Sequence, residues 1–244
     1  MKNIKLTIEY DGTNYSGWQR QKNAMTIQEK LEEAIRKATG KLCETIGASR
    51  TDAGVHARGF VCNFFTDSSI PPDNFKMVLN GILPEDIVVI KSEQVDANFH
   101  SRYNSTGKKY TYTIITGGNR PAIGRNYMYY FYRKLNFENM KKACKFLIGT
   151  HDFSAFKSNG SSVKTSVRTV TEFTVVKEDN FIKFSVVGNG FLYNMVRIMV
   201  GTILQVGLEK FEPEYVNVIL KSKDRSKAGK PAPARGLCLE KVFY

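Results

Sequence analysis

Hydrophobic periodicity constrains this 244-residue chain more than any other feature, because strand-like and helix-like stretches recur in the same order twice. Residues 4–10 alternate apolar and polar side chains, the period of a half-buried strand. Thr26 followed by Glu29 has the form of a capping box, and Ile27, Leu31, Ala34, Ile35 and Ala38 then share one helical face that stops at Gly40. Apolar runs at 42–48 and 59–65 read as strands, Pro71-Pro72-Asp73 opens a second helix reaching about residue 83, and 87–95 reads as another strand. The second half begins with a strand at 108–116, passes through a basic aromatic segment, and continues with a helix at 137–148. Strands at 166–176 and 181–187, a long apolar helix at 192–208, a short helix at 214–220 and a last strand at 237–243 follow.

Each half therefore reads strand, helix, strand, strand, helix, strand, the order of the split unit in ferredoxin-like folds. The expectation is an α/β (α+β) protein of two such halves, residues 1–100 carrying the loop described below and residues 101–244 carrying the basic segment. A hydrophobic content of 42% is that of a globular chain. No run of about 18 apolar residues exists and the N-terminus goes straight into a strand pattern, so the expected location is cytoplasmic. Cys43, Cys62, Cys144 and Cys238 lie far apart within apolar stretches, a spacing that favours buried free thiols over disulfides or a zinc site.

The net charge of +13 is unevenly spread. Residues 1–99 carry 12 Lys and Arg against 13 acids, residues 100–168 carry 13 against 2, and residues 169–244 carry 11 against 8. A concentrated cation excess interleaved with Tyr110, Tyr112, Tyr127, Tyr129, Tyr130 and Tyr132 is what a polyanion-binding surface with stacking capacity contains, although a merely basic, soluble surface has the same composition. The connection at 11–21, rich in turn residues but holding the only Trp, suits a loop that contacts a ligand.

Chemistry concentrates at Gly47-Ala48-Ser49-Arg50-Thr51-Asp52-Ala53-Gly54-Val55-His56-Ala57-Arg58, which lies between two apolar runs. Asp52-Ala53-Gly54 suits a plain hairpin turn. The cluster of Ser49, Arg50, Thr51, Asp52, His56 and Arg58 is denser than a turn requires, however, and Arg50 is placed to keep Asp52 ionised. No phosphate-binding or dinucleotide-binding glycine pattern is present, and His56, His100 and His151 are scattered, so neither a cofactor nor a metal is expected.

Arg50-Thr51-Asp52-Ala53-Gly54-Val55-His56 resembles the active-site motif of the tRNA pseudouridine synthases of the TruA type. Lys109-Tyr110-Thr111-Tyr112, Gly149-Thr150-His151-Asp152-Phe153, Phe191-Leu192-Tyr193-Asn194-Met195-Val196-Arg197 and Gly236-Leu237-Cys238-Leu239-Glu240 resemble the family's later motifs in the same order. Ser49 stands where the family usually has glycine, and Thr111 where a basic residue is common.

The resemblance implies that the halves pair into one extended mixed sheet flanked by helices, with a central basic cleft. It implies isomerisation of uridine to pseudouridine at positions 38–40 in the anticodon arm of tRNA, without cofactor, by a homodimer. Asp52 is then the catalytic nucleophile, Arg197 its ion-pair partner, and Arg50 the residue that fills the space of the flipped nucleotide. Tyr110 stacks on the uracil and stands near the carbon that loses its proton, and Leu237 lines the apolar wall. His56, Arg58, Lys108 and Lys109 are expected at phosphates, and His151-Asp152 as a turn. On the residues alone Arg197 could equally snorkel to the surface, Tyr110 and Leu237 could be packing, and the whole could be a noncatalytic RNA-binding module or act on another RNA.

Overall fold

A computed structural model describes residues 1–160 and 164–244. The chain forms two compact units, one of Met1–Thr106 with Cys238–Tyr244, the other of Gly107–Leu237. The expected α/β class is what is observed: each unit carries a mixed sheet and helices.

The first unit contains β1 (Lys2–Tyr10), α1 (Ile27–Thr39), β2 (Ile46–Gly47), β3 (His56–Thr66), α2 (Phe75–Asn80, entered through a 3-10 turn at Pro72–Asn74) and β4 (Ile87–Val95). Its sheet runs β4-β1-β3, with β2 also on β3. β1 is antiparallel to both neighbours. The C-terminal strand β10 (Leu237–Phe243) returns here and pairs parallel with β3 through Cys238–His56 and Leu239–Ala57, so residues grouped by sequence order with the second half belong by pairing to the first. Phe60, Phe64 and Phe75 fill the core with no exposure, and Phe75 meets Phe64 edge-on at 5.4 Å.

α1 matches its periodicity at both ends. The Thr26 hydroxyl accepts from Glu29 N, and Gly40, at φ 74°, closes the helix by donating to Arg36 O. The strand expected at 42–48 shrinks to two residues. Thr45 N and Oγ1 both donate to the Glu32 carboxylate, at 2.9 and 3.0 Å, while Thr45 O accepts from Gln28 Nε2. Its backbone groups are thus satisfied by α1 side chains and leave no ladder to extend.

The second unit contains β5 (Gly107–Thr116), β6 (Tyr129–Phe131), α3 (Phe137–Lys145), β7 (Gly149–Asp152), β8 (Val167–Glu178), β9 (Phe181–Gly188), α4 (Met195–Gly207) and α5 (Tyr215–Ser222). The sheet order is β5-β9-β8-β7 with antiparallel pairings, and β6 lies parallel on β5. α3 packs against α4 where Gly207 has no side chain: a Cβ there would come within 2.7 Å of Met140 Sδ. Among the described residues no helix is long and apolar enough to cross a membrane.

His151 and Asp152, expected in a turn, are the end of β7. Asp152 Oδ1 accepts from Ser154 Oγ and Ser166 Oγ, each at 2.5 Å, and Lys223 Nζ lies 3.1 Å from Oδ2. One carboxylate thus fastens β7, the start of β8 and the end of α5. The two hydroxyls first, and Lys223 after them, hold its pKa far below the usual carboxylate range. A depressed folded pKa contributes stability that is present above the unfolded value of about 3.9 and is lost as pH falls below it. Asp152→Asn should therefore lower Tm at neutral pH, and the gap to the parent protein should narrow steadily below about pH 4, because the unfolded parent chain then takes up a proton at Asp152 that the folded chain does not. Thermal melts from pH 7 down to pH 3 check this; a constant gap would remove the carboxylate's charge from the account.

Candidate active site

The loop from Ala48 to Val55 connects β2 to β3 and is fixed from behind by the β1–α1 connection. Tyr10 Oη and Thr51 Oγ1 share a buried 2.8 Å hydrogen bond. Trp18 N donates to Thr51 O, Gly54 N to Tyr15 O, and Val55 N to Asp52 O across the turn. Two glycines let the backbones touch: a Cβ on Gly17, whose φ is +89°, would lie 2.3 Å from Thr51 O, and one on Gly12 would lie 2.0 Å from Val55 O. Gly54, at φ 74°, completes the turn.

Trp18, read from sequence as a ligand contact, is 2% exposed and stacks on Phe60 with ring centroids 4.1 Å apart. It packs over Gly47, where a Cβ would meet Nε1 at 2.5 Å. The connection at 11–18 therefore buttresses the loop. An indole in a turn-rich stretch is driven inward by its apolar area.

On this scaffold Asp52 is half-buried and Arg50 is exposed, and Arg58 follows on β3. Arg58 stays outside, 3.8 Å from Glu240. His56 turns inward and is 6% exposed. Its Nδ1 accepts from Gly12 N at 3.1 Å, which requires an unprotonated nitrogen, although Asp11 Oδ1 stands 3.1 Å from the same atom, where an ion pair would require a proton. Asp11 Oδ1 already accepts from Thr13 N and Thr13 Oγ1, so the Gly12 bond decides the tautomer and His56 ties the 11–13 turn to β3. Ser49 Oγ is buried and has no hydrogen-bond partner among the described residues.

The second unit holds Tyr110, Phe191 and Arg197. Tyr110 on β5 is 6% exposed, pairs in register with Val186, and meets the Phe191 ring edge-on at 5.3 Å. Tyr112, counted from sequence among the stacking residues, is fully buried; Tyr127 and Tyr132 are the exposed ones. Strand alternation puts 110, 112 and 114 on one face, and that face is the core side. Arg197 lies in the first turn of α4, a helix buried at every other position but Gln205. It does not simply snorkel: Nε donates to Ala232 O and Nη1 to Asn194 Oδ1, both at 2.7 Å. Leu237 is 5% exposed at the start of β10, Lys108 is enclosed and Lys109 is half-buried.

The sequence pattern described as tRNA pseudouridine synthase matches residues 6–104 and 143–244. The chain belongs to the tRNA pseudouridine synthase family. Relatives named tRNA pseudouridine synthase A include one from Clostridium kluyveri, 68% identical over 244 residues and covering 100% of both chains. Others, from Clostridium acetobutylicum at 55% and Acetivibrio thermocellus at 52%, also span both chains completely. The matched spans take in Asp52, Arg197 and Leu237, whereas Tyr110 falls in the interval between them.

For a member of this family, the residues missed from sequence are those that hold the loop from outside it: Tyr10, Gly12 and Gly17. Their signal was a pair of glycines flanking an aromatic at 12–18, which composition alone cannot separate from an ordinary turn. Gly17→Ala adds a Cβ to a backbone conformation unfavourable for L-residues and against a carbonyl oxygen. Displacing the loop by about 1 Å is expected to lower kcat by about a hundredfold. Steady-state rates with a parallel thermal melt check it; a folded variant with parental kcat would show that the loop does not depend on this contact.

Proposed function

We propose that this chain isomerises uridine to pseudouridine in tRNA, with Asp52 as nucleophile and no cofactor. The observation that carries the reading is the placement of Asp52: a partly accessible carboxylate at the apex of a loop whose backbone is pinned at Thr51, Gly54 and Val55. The full-length kinship to proteins named tRNA pseudouridine synthase A supplies the substrate class. The uridines of the anticodon arm, positions 38–40, are the proposed targets and a homodimer the proposed working form, both on the family resemblance, and the cytoplasm is the proposed location.

The reaction breaks the bond from N1 of uracil to C1′ of the ribose and forms one from C5 to C1′. The C5 proton leaves and N1 gains one, so composition is unchanged and no oxidant or reductant is needed. The enzyme must supply a nucleophile, a grip on the detached base and a proton acceptor. Asp52 is assigned the first role. Tyr110, with Phe191 against its ring, offers the uracil an aromatic face and a hydroxyl for the proton, and Leu237 an apolar wall. Arg197 pairs with Asp52 and keeps it ionised in a closed site, and Arg50, exposed beside it in sequence, replaces the flipped nucleotide. Arg58 and Lys109 contact phosphates; the enclosure of His56 and Lys108 fits them better to holding the fold.

Asp52→Asn keeps the side chain's size but removes its negative charge, so turnover should vanish while tRNA binding persists. Pseudouridine mapping after incubation with uridine-labelled tRNA tests this, and measurable turnover in a clean preparation would sink the assignment. A noncatalytic RNA-binding module would form no pseudouridine even with the parent chain.

The two arginines should fail differently. Arg197→Ala leaves a carboxylate that takes up a proton more readily, so its single-turnover rate should fall most at acidic pH and recover in part as pH rises. Arg50→Ala should lose rate about equally at every pH, and lose less on a single-stranded fragment than on a stacked stem. Parallel pH profiles for the two variants would show that the roles are wrongly divided.

A further inference from the structure

Arg197 is held from two sides before any substrate arrives. Asn194, the residue preceding α4, sits in the left-handed region at φ 60°. Its amide is used at both ends: Oδ1 accepts from Arg197 Nη1 at 2.7 Å, and Nδ2 donates to Ser158 Oγ at 3.0 Å. Because a guanidinium only donates, the contact with Arg197 fixes which way the amide faces, and the serine keeps it there.

The other side is a strap, residues 228–236, laid along α4. Ala232 exchanges two hydrogen bonds with Arg197, its carbonyl accepting from Nε at 2.7 Å and its N–H donating to Arg197 O at 2.9 Å. The strap lies backbone to backbone on the helix: a Cβ on Gly201 would stand 1.9 Å from Lys230 O, and Gly229 N donates to Thr202 Oγ1 at 2.9 Å. Its far end is fastened by Tyr112, whose hydroxyl donates to Pro233 O at 2.7 Å from a fully buried ring. Burial pushes the Tyr112 pKa far up, so the hydroxyl stays a donor.

We propose that Asn194 and Tyr112 are positioning residues for the reaction: Asn194 directly, and Tyr112 through the strap and the Ala232 carbonyl, fix the plane of the Arg197 guanidinium so that it meets the nucleophile's carboxylate already oriented. This rests on the proposed pairing of Arg197 with Asp52. Preorganisation of this kind acts on the reacting state more than on substrate binding, because the rotamer freedom of a long cation is removed in advance.

The variants are chosen to separate side chain from backbone. Asn194→Gly keeps the left-handed conformation at no steric cost and removes the amide. It should lower kcat by about tenfold, the value of one charge-assisted hydrogen bond, with KM for tRNA changed less than about twofold. Asn194→Asp keeps the acceptor and tolerates the same backbone, so most of kcat should return. Tyr112→Phe should give a smaller loss, about threefold, consistent with one neutral hydrogen bond acting at a remove. All losses should be weighted to acidic pH as in Arg197→Ala, and Asn194→Gly added to Arg197→Ala should cost nothing more. The readouts are kcat and KM from mildly acidic to mildly alkaline pH, with Tm to confirm folding. If Arg197→Ala is impaired and folded Asn194→Gly has parental kcat, the positioning role is overturned while the ion pair stands. If Arg197→Ala has parental kcat and pH profile, the ion pair fails and the positioning role falls with it. Losses in Asn194→Gly that Asn194→Asp does not restore, or that follow Tm with no pH dependence, would mark a merely structural asparagine.

Discussion

The geometry around the proposed nucleophile depends on a contact that has no side chain in it. The connection between β1 and α1 presses its backbone onto the backbone of the 51–55 loop, and it can do so only because positions 12 and 17 lack a Cβ. A turn between two strands is ordinarily among the more mobile parts of a protein. Here Thr51, Gly54 and Val55 each find a hydrogen-bond partner, the Trp18 indole seals the base of the loop over Gly47, and His56 spends its Nδ1 on Gly12. The carboxylate at 52 is therefore carried on something closer to a packed layer than to a loop, which is what a nucleophile needs if its approach is to be fixed in advance.

The second unit solves a different problem with similar means. A half-buried guanidinium on a largely buried helix needs hydrogen-bond acceptors, since donors taken from water without them are costly. Helix backbone cannot help, as its carbonyls are engaged. The acceptors come instead from outside the helix: the side chain just before it, and a strap whose glycine at 229 and the facing glycine at 201 permit contact at main-chain distance. The same bonds that satisfy the charge also orient it. Stability and the proposed positioning role thus make the same demand on Asn194 and on the strap.

How much of this was legible in the sequence follows from what periodicity measures. α1 was readable to within a residue because an amphipathic face, a capping threonine and a terminal glycine all agree over 13 residues. The strand at 42–48 was not, because alternation reports side chains while strand length is decided by where the backbone groups bond, and Thr45 bonds to α1. β7, four residues long, is too short to show a period, and Asp152 there resembled a turn. Tyr112 is the instructive miss: basic neighbours made it look like a stacking surface, although alternation with Ile114 turns it inward, and its ring is fully buried where Tyr110 on the same face keeps a slight exposure. Local composition and strand phase disagreed, and phase won.

The proposed nucleophile was easier to single out than its supports. Arg197 is a lone charge in an apolar run and Asp52 belongs to a polar cluster denser than a turn requires, and both patterns stand out from the background. Tyr10, Gly12, Gly17, Asn194 and Gly229 have no such pattern attached; each is an unremarkable residue until its partner, up to 44 positions away for the Gly12–His56 bond, is brought against it. Supporting residues act through distance and conformation, which belong to the fold, whereas the groups that do chemistry act through charge, which is written in the residue itself. For this chain the consequence is that the gap between the proposed reacting groups and a working site is filled almost entirely by backbone contacts and short polar side chains, and those are the positions where a conservative-looking change should do the most damage to rate for the least change in composition.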